Sequence, residues 1–116
     1  MSDQTQLSIQ VERHDKGVIL CVNGRVDAAS AGMLEDAVRD KLETGQSSLV
    51  FDFTNLSYIS SAGLRVLLVA VRECQSRRGK SVFCGLSKTV AEVFEVSGFD
   101  KILTILASRD EALRSI

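Results

Sequence analysis

Two adjacent serines, Ser60 and Ser61, are the residues of this 116-residue chain whose hydroxyl groups are best placed for capping or for phosphorylation. They follow a short apolar strand pattern and a polar stretch, and a strongly apolar helical pattern begins directly after them. A hydroxyl at a helix start can cap the free backbone N–H groups of the first turn. A phosphate attached there would instead lie at the positive end of the helix dipole, among unpaired donors. The local pattern by itself allows both interpretations.

Two aspartates, Asp27 and Asp52, are candidates for acid–base or magnesium chemistry. Each lies at the end of a predicted strand, on the rim where α/β sheets bind ligands. Each also has a structural alternative. Asp27 could be the N-cap of the first helix, a role that Ser30 could equally take. Asp52 lies within an apolar strand and could face solvent or accept a hydrogen bond from a loop amide.

Hydrolase chemistry has little support in the sequence. The only histidine, His14, belongs to the first predicted hairpin, so a Ser-His-acid triad has a single possible base. The paired serines also lack the G-x-S-x-G spacing of a nucleophile elbow, and the chain has neither a phosphate-binding loop nor a G-x-G-x-x-G pattern. We therefore expect a protein that is not an enzyme. A hydrolase that uses Ser61 with His14 as base is the hypothesis that geometry can test.

The three cysteines, Cys21, Cys74 and Cys84, are widely spaced, and each lies in an apolar pattern. A free cysteine in such a setting behaves as a small hydrophobe. The chain has no C-x-x-C pair, and its single histidine has no nearby ligand partner, so the spacing of a zinc or redox site is missing. We expect neither a metal nor another cofactor.

The charge balance argues against nucleic acid as a partner. The chain has 14 basic and 15 acidic residues and a formal net charge of -1, whereas nucleic-acid binders are usually strongly basic. No apolar run approaches the roughly 20 residues of a membrane span, and the polar N-terminus does not resemble a signal peptide. We therefore expect a cytoplasmic protein without membrane contact.

Apolar periodicity predicts strands and helices in the order ββαβαβαβα. The predicted strands span residues 7–11, 18–22, 48–53, 80–84 and 102–106. A short connection makes the first two an antiparallel hairpin, and the later strand–helix–strand units imply right-handed parallel crossovers. The predicted fold class is α/β: a single domain over residues 1–116, with a mixed sheet of about five strands and about four helices.

The predicted helices carry recognisable end signals. Ser87 and Ser108 are expected to cap the third and fourth helices, and Gly98 closes the third. The second helix, about residues 62–76, has a broad apolar stripe that Val69 widens, so it should pack deeply against the sheet. The loops at residues 25–29, 54–63 and 85–88 should open at the same edge and could form a binding face around the paired serines.

Three further motifs occur in a specific order along the chain. They are GRVD at residues 24–27, LSYISSAGLRVLL at 56–68 and VFEVSGFDKI at 93–102. Together they resemble the STAS domain family, specifically the single-domain anti-sigma-factor antagonists of bacteria, and the resemblance covers almost the whole chain. The middle segment is similar to the family signature around the second helix. The first corresponds to the Gly-x-Leu/Val-Asp motif before the first helix, and the last to the end of the third.

The resemblance implies a partner-switching protein. In this family the unphosphorylated domain binds an anti-sigma factor that is also a serine kinase, and thereby frees the sigma factor. The kinase can phosphorylate a serine at the start of the second helix, which releases the antagonist. A metal-dependent serine phosphatase reverses the change.

The phosphoacceptor that the resemblance implies is Ser61, two residues before Gly63. Many family members have Asp immediately before the acceptor, where this chain has Ser60. The partner-binding residues expected from these motifs and loops are Asp27, Ser60, Ser61, Gly63, Arg65 and Ser87. The alternative within the same fold is a cytosolic STAS subunit of a transporter or sensory complex, in which both serines are only helix caps.

Overall fold

A computed structural model describes residues 6–116, so the first five residues of the predicted 1–116 domain lie outside the described part. The strands are β1 (Ser8–His14), β2 (Gly17–Val26), β3 (Leu49–Asp52), β4 (Leu56–Ile59), β5 (Ser81–Cys84) and β6 (Thr104–Leu106). The helices are α1 (Ala31–Glu43), α2 (Ser61–Ser76), α3 (Lys88–Ser97) and α4 (Arg109–Ser115), with a single 3-10 turn at Phe99–Lys101.

Within residues 6–116 the strands form one mixed sheet in the order β1-β2-β3-β5-β6, and β4 pairs with β2. The pair β1–β2 is the predicted antiparallel hairpin, whereas all other pairs in the described residues are parallel. Parallel pairing follows from the helical crossovers, because along the chain a helix lies between the two strands of each of these parallel pairs. The helix α1 separates β2 from β3 and β4, α2 separates β3 from β5, and α3 separates β5 from β6. The predicted α/β class with an N-terminal hairpin is confirmed.

The strand β4 lies in a segment that was expected to be a loop, so the prediction of about five strands is corrected to six within residues 6–116. The strand β2 is also longer than the predicted 18–22. It pairs with β3 over residues 18–21 and with β4 over residues 24–26, and the register of the second pairing shifts between Gly24 and Arg25. A four-residue segment with two polar members has no distinctive period, and its extended conformation depends on hydrogen bonds from β2. The residues near β4 in the sequence do not indicate that β2 will pair with it.

Alternation along β2 divides the core into two parts, because successive side chains of a strand point to opposite faces. Val18, Leu20 and Val22 belong to the larger part, which also contains residues of α1, α2 and α3. Ile19 and Cys21 belong to a smaller part, which contains a residue of α4. The sheet therefore has α1, α2 and α3 on one face and α4 on the other.

The predicted caps of the later helices are confirmed. The Ser87 Oγ accepts from the Val90 N–H at 3.2 Å, and the Ser108 Oγ accepts from the Glu111 N–H at 3.2 Å. Gly98 ends α3 with a φ of 81°, a left-handed conformation that glycine adopts without strain. These predictions succeed because each cap involves residues only a few positions apart.

The predicted stripe of α2 is too wide at one position. Val69 is 44% exposed and lines a groove between α1 and α2, so it does not contribute to the buried face. The last predicted strand also begins too early. Ile102 is 58% exposed and precedes β6, because the 3-10 turn at Phe99–Lys101 occupies the chain up to that point.

The longest helix in the described part of the chain, α2, has 16 residues. Neither α2 nor any other helix within residues 6–116 has the length and the apolar content that crossing a membrane requires.

Candidate functional site

Hydrogen bonds to the neighbouring strand fix the start of α2. The Ser60 N–H donates to the Val26 carbonyl at 2.8 Å, and the Leu64 N–H donates to the Ser60 carbonyl at 2.9 Å. The Ser60 Oγ accepts from the Gly63 N–H at 3.3 Å, with Ser60 in an extended backbone conformation. This geometry is that of an N-cap, so the hydroxyl of Ser60 is engaged in holding the first turn.

Ser61 is the first residue of α2, and its side chain is exposed. Its hydroxyl forms no hydrogen bond with any other residue in the range 6–116, and the N–H groups of Ser61 and Ala62 have no acceptor there. Unpaired N–H groups at a helix start carry the positive end of the helix dipole and favour an anion. The two serines are therefore distinct: one caps the helix, and the other presents a free hydroxyl beside unpaired donors.

Gly63 lets the first turn of α2 lie directly on the sheet. A Cβ atom at this position would be 2.7 Å from Val26 Cγ1 and 2.7 Å from Ile59 Cγ1, which is closer than van der Waals contact allows. Gly63 is itself buried. The role that the structure assigns to this residue is therefore to position Ser60 and Ser61.

Asp27 and Ser30 close the loop between β2 and α1 by bonding to each other. The Ser30 N–H and Oγ each donate to Asp27 Oδ1 at 3.0 Å, and the Asp27 N–H donates to Ser30 Oγ at 3.0 Å. The pKa of Asp27 lies below its ordinary value because the Ser30 hydroxyl and backbone N–H stabilise the carboxylate. Asp27 follows Val26 in the chain, and the Val26 carbonyl accepts the Ser60 N–H. The ionised carboxylate of this half-buried residue therefore lies close to the start of α2.

Two contacts that the sequence did not reveal attach β4 to β2. The Arg25 guanidinium lies 4.3 Å from the centroid of the Tyr58 ring, and the Ser57 hydroxyl donates to the Gly24 carbonyl at 2.9 Å. Both contacts depend on the parallel pairing of β2 with β4, which places residues of the two motifs 24–27 and 56–68 side by side. The two motifs in the sequence were therefore the signal from which the proximity of β2 and β4 could have been inferred.

The other two predicted partner-binding residues differ in their relation to Ser61. Arg65 is exposed one turn further along α2, and residues four apart on a helix share a face. The Ser87 hydroxyl is engaged in capping α3. Thr89, two residues later, lines a groove together with Ser61.

This groove, which we call the rim groove, is bounded by β4, the first turn of α2 and the exposed face of α3, and has a volume of about 470 Å³. Its apolar lining includes Ile59 and Leu64, which are buried, and Val93 and Val96 of α3. The spacing of Thr89, Glu92, Val93 and Val96 is that of one helical face, a signal already present in the sequence.

A model of the family described as STAS domain matches residues 8–112. This chain belongs to the STAS domain family. BtrV of Bordetella bronchiseptica, a candidate anti-sigma factor antagonist, is 37% identical over 106 residues, which are 91% of this chain and 91% of BtrV.

Two solved structures share the STAS fold of this chain. The anti-sigma factor antagonist from Mycobacterium paratuberculosis matches with a TM-score of 0.89 and 22% identity, over 100% of this chain and 98% of that one. The cell fate determinant SpoIIAA of Bacillus, in its phosphorylated form, matches with a TM-score of 0.71 and 22% identity, over 93% of this chain and 98% of that one.

Asp52 is not a free carboxylate on the rim of this STAS domain. It is 9% exposed, and its Oδ1 accepts from the Thr54 N–H at 3.0 Å, as the loop-amide interpretation expected, and from the Thr54 hydroxyl at 2.6 Å. Its Oδ2 lies 3.0 Å from a guanidinium nitrogen of Arg109. Burial favours the neutral carboxyl, but the hydrogen bonds from Thr54 and Arg109 outweigh it, so the pKa of Asp52 lies below its ordinary value.

The hydrolase hypothesis is contradicted by the position of His14. His14 pairs with Gly17 at the first residue of β2, whereas Ser60 binds Val26 at the last. Nine residues of strand separate those two positions, which corresponds to about 30 Å at roughly 3.3 Å per residue. The imidazole of His14 cannot reach the Ser61 hydroxyl across that distance.

The cysteines of this STAS domain are buried, as expected for small apolar side chains. Burial raises the pKa of Cys74 and of Cys84 to about 11, so both thiols are neutral at physiological pH. Burial also raises the pKa of Cys21.

Proposed function

We propose that this protein is an anti-sigma factor antagonist that works by partner switching. Unphosphorylated, it binds an anti-sigma factor that is also a serine kinase and thereby frees the sigma factor. The kinase phosphorylates Ser61, the complex dissociates, and a metal-dependent serine phosphatase restores the binding form. Membership of the STAS family and the similarity to BtrV support the proposal.

One observation favours Ser61 over Ser60 as the phosphoacceptor. Its hydroxyl is exposed and has no hydrogen-bond partner within residues 6–116, whereas the Ser60 hydroxyl accepts the Gly63 N–H at 3.3 Å. A kinase that modified Ser60 would have to displace that cap, whereas Ser61 can be modified without disturbing the helix. SpoIIAA, a structural relative that has been solved in a phosphorylated form, gives a precedent within the fold.

A phosphate on Ser61 is compatible with the fold but not with a tight interface. It adds about −1.5 to −2 charges and three acceptor oxygens, and a helix N-terminus favours such an anion by roughly 0.3–1 kcal/mol. At an interface that fits a neutral hydroxyl, the same dianion would have to be desolvated next to the ionised carboxylate of Asp27. Release therefore requires no refolding.

The proposed binding surface is centred on Ser61. Asp27 and Arg65 contribute the charged groups of this surface, Ser60 and Gly63 hold the first turn of α2 in place, and Ser87 fixes the start of α3. In this proposal the chain is a single cytoplasmic STAS domain that is not an enzyme, needs no cofactor, and contacts neither nucleic acid nor membrane.

Mapping the phosphate by mass spectrometry tests the proposal. The protein is incubated with ATP, Mg²⁺ and a purified anti-sigma kinase encoded in the same genome, alongside Ser60→Ala and Ser61→Ala variants. We expect one phosphate on Ser61 in the wild type and in Ser60→Ala, and none in Ser61→Ala. A phosphate on another residue would contradict the site assignment.

Binding by the Ser61→Ala variant tests the function itself. We expect this variant to remain bound to the kinase in the presence of ATP, because the release step is blocked. If Ser61→Ala instead behaves as the wild type and the protein co-purifies with membrane components, a STAS subunit of a transporter or sensory complex replaces the present proposal.

A further inference from the structure

Most of the rim-groove wall that α3 supplies lies outside the core. Thr89, Glu92 and Val96 are exposed, whereas Val93 is partly buried and packs against the larger core. The buried residues of α3 are Val90 and Phe94, which pack in the larger core. Val96 is 89% exposed, although it is apolar. An apolar side chain so fully exposed contributes almost nothing to folding. It lines the same groove as the proposed phosphoacceptor, and exposed apolar groups at grooves are typical of binding sites.

The groove combines an apolar floor with one free negative charge. Its floor includes the buried side chains of Ile59 and Leu64, which are 1% and 6% exposed. Glu92 lines the same groove one helical turn before Val96 and is exposed. In the range 6–116 its carboxylate forms no ion pair, unlike Glu35 of α1 and Glu73 of α2, which pair with arginines.

We propose that the rim groove receives an apolar side chain of the anti-sigma kinase, flanked by a lysine or arginine that pairs with Glu92, and that Val96 and Glu92 determine which kinase is accepted. This inference rests on the proposed function. The apolar floor selects an aliphatic or aromatic anchor, and the unpaired carboxylate selects a cation beside it. A small-molecule ligand fits less well, since the wall that contains Val96 is open to solvent.

The same groove explains how one phosphate could release the partner. Ser61 lines the groove together with Glu92, so a phosphate on Ser61 would stand at the place where the anchor enters. Docking an apolar side chain there would strip water from the dianion, and the phosphate would compete with Glu92 for the cation of the partner. The modification would act on both recognition elements at once.

The test measures affinity for the purified anti-sigma kinase that phosphorylates Ser61, by calorimetric titration without ATP. Val96→Ser removes the apolar contact, and we expect its Kd to rise roughly tenfold, as loss of a partly buried valine contact implies. The matched control is Val69→Ser. Val69 is also an exposed valine on a helix, at 44%, but it lines the groove between α1 and α2, so its Kd should stay within about twofold of the wild type.

Charge reversal tests the second recognition element. We expect Glu92→Lys to raise the Kd roughly tenfold at low salt and less at high salt, because screening weakens a pair at the edge of an interface. Glu95→Lys is the matched control, since Glu95 is an exposed glutamate of the same helix that does not line this groove. All four altered residues, Val69, Glu92, Glu95 and Val96, are exposed, so the variants should have the melting temperature of the wild type, which confirms that they fold.

The possible outcomes separate the inference from the function on which it rests. If Val96→Ser and Glu92→Lys bind as the wild type does while phosphorylation of Ser61 still causes release, the groove is not the docking site and the proposed function stands. If the controls weaken binding as much as the groove variants, the specificity assigned to Val96 and Glu92 is wrong. If the wild type neither binds such a kinase nor accepts a phosphate, both proposals fail.

Discussion

Two polar clusters of this protein use their hydrogen-bonding groups in opposite ways. In the first, beneath α4, the Arg109 guanidinium donates to Asp52 at 3.1 Å, to Glu12 at 2.8 Å and to the Cys21 sulfur at 3.0 Å. One side chain of α4 thus binds three neighbouring strands. These groups satisfy one another, so this cluster leaves little for a partner to bind.

The second cluster, at the start of α2, leaves its groups available. Ser60 and Asp27 form the bonds that shape the site, but the hydroxyl of Ser61 has no partner among residues 6–116. Glu92 forms no ion pair in that range, and Val96 is exposed. Polar groups that pair with each other stabilise the fold, whereas exposed groups without partners are free to recognise another molecule. Substitution of groups that pair with each other should therefore lower stability, whereas substitution of the groups without partners should affect binding.

The largest effect is expected from Ser61→Asp. Its affinity for the anti-sigma kinase should fall at least 100-fold, about 2.7 kcal/mol, because a carboxylate at this position must be desolvated on binding. The stability of the fold should not fall, since an anion at a helix start is favourable. Titration calorimetry measures the affinity, with Ser61→Asn as the uncharged control of equal size. Equal weakening by both variants would show that size and not charge is responsible.

Removal of Arg109 should produce the next largest effect, and on stability. Arg109→Ala leaves the carboxylate of Asp52 without its cation, and we expect a loss of about 1.5–3 kcal/mol in the free energy of unfolding. Arg39→Ala is the control, because Arg39 pairs with Glu35 and Asp36 on the surface, where such pairs contribute less than about 1 kcal/mol. Urea denaturation measures both. Similar losses in the two variants would contradict the structural role of Arg109.

Gly63→Ala tests the scaffold beneath the second cluster. The new Cβ would overlap Val26 and Ile59, each 2.7 Å away, and this crowding should outweigh the better helix propensity of alanine. We expect a net loss of about 1–2 kcal/mol in stability, together with weaker kinase binding. Gly32→Ala in α1 is the control, because no atom lies within 4 Å of its added Cβ, and it should be slightly stabilising. A stabilised Gly63→Ala variant would refute the packing argument.

A smaller effect should distinguish the two serines. Ser60→Ala removes the cap of α2 and should lower the free energy of unfolding by about 1 kcal/mol. Ser61→Ala removes a hydroxyl without a partner in the described residues and should change stability by less than about 0.5 kcal/mol. Thermal and urea denaturation of both variants give the comparison. Equal losses would mean that Ser61 also supports the helix.

Acid should have the smallest effect over the physiological range. The pKa of Asp52 is lower in the folded than in the unfolded protein, so ionised Asp52 stabilises the fold above its ordinary pKa of 3.8. That contribution is lost as the pH falls through the lower folded-state pKa. Urea denaturation of the wild type and of Asp52→Asn should therefore differ by a constant amount down to about pH 4 and by less below it. A difference that is the same at every pH would argue against an ionised Asp52.

Much of the fold could be predicted from the sequence because its signals are local. The hairpin of β1 and β2, the caps at Ser87 and Ser108, and the stop at Gly98 each involve residues only a few positions apart. The order of helices and strands is likewise indicated by the local apolar period of each segment. The hydrogen bonds of the caps and of the hairpin form within one turn or one hairpin, so the residue types nearby are sufficient to specify them.

Other features needed partners that are distant in the chain. The strand β4 exists because β2 extends far enough to pair with it, and Asp52 is buried because Arg109, 57 residues later, reaches it. Neither the length of β2 nor the position of Arg109 is specified by neighbouring residues. Consequently residues 54–63 were expected to be a loop, and Asp52 was considered for the rim.

Local sequence was therefore sufficient to predict that a helix starts at the paired serines and that the surrounding motifs resemble those of STAS domains. How the two serines differ depends on contacts between residues that are distant in the chain. The bond from the Ser60 N–H to the Val26 carbonyl fixes Ser60 as the cap and leaves the Ser61 hydroxyl free. The packing of α3 against β4 then places Glu92 and Val96 beside Ser61. These relations depend on strand order and helix packing, which bring together residues that no local pattern connects.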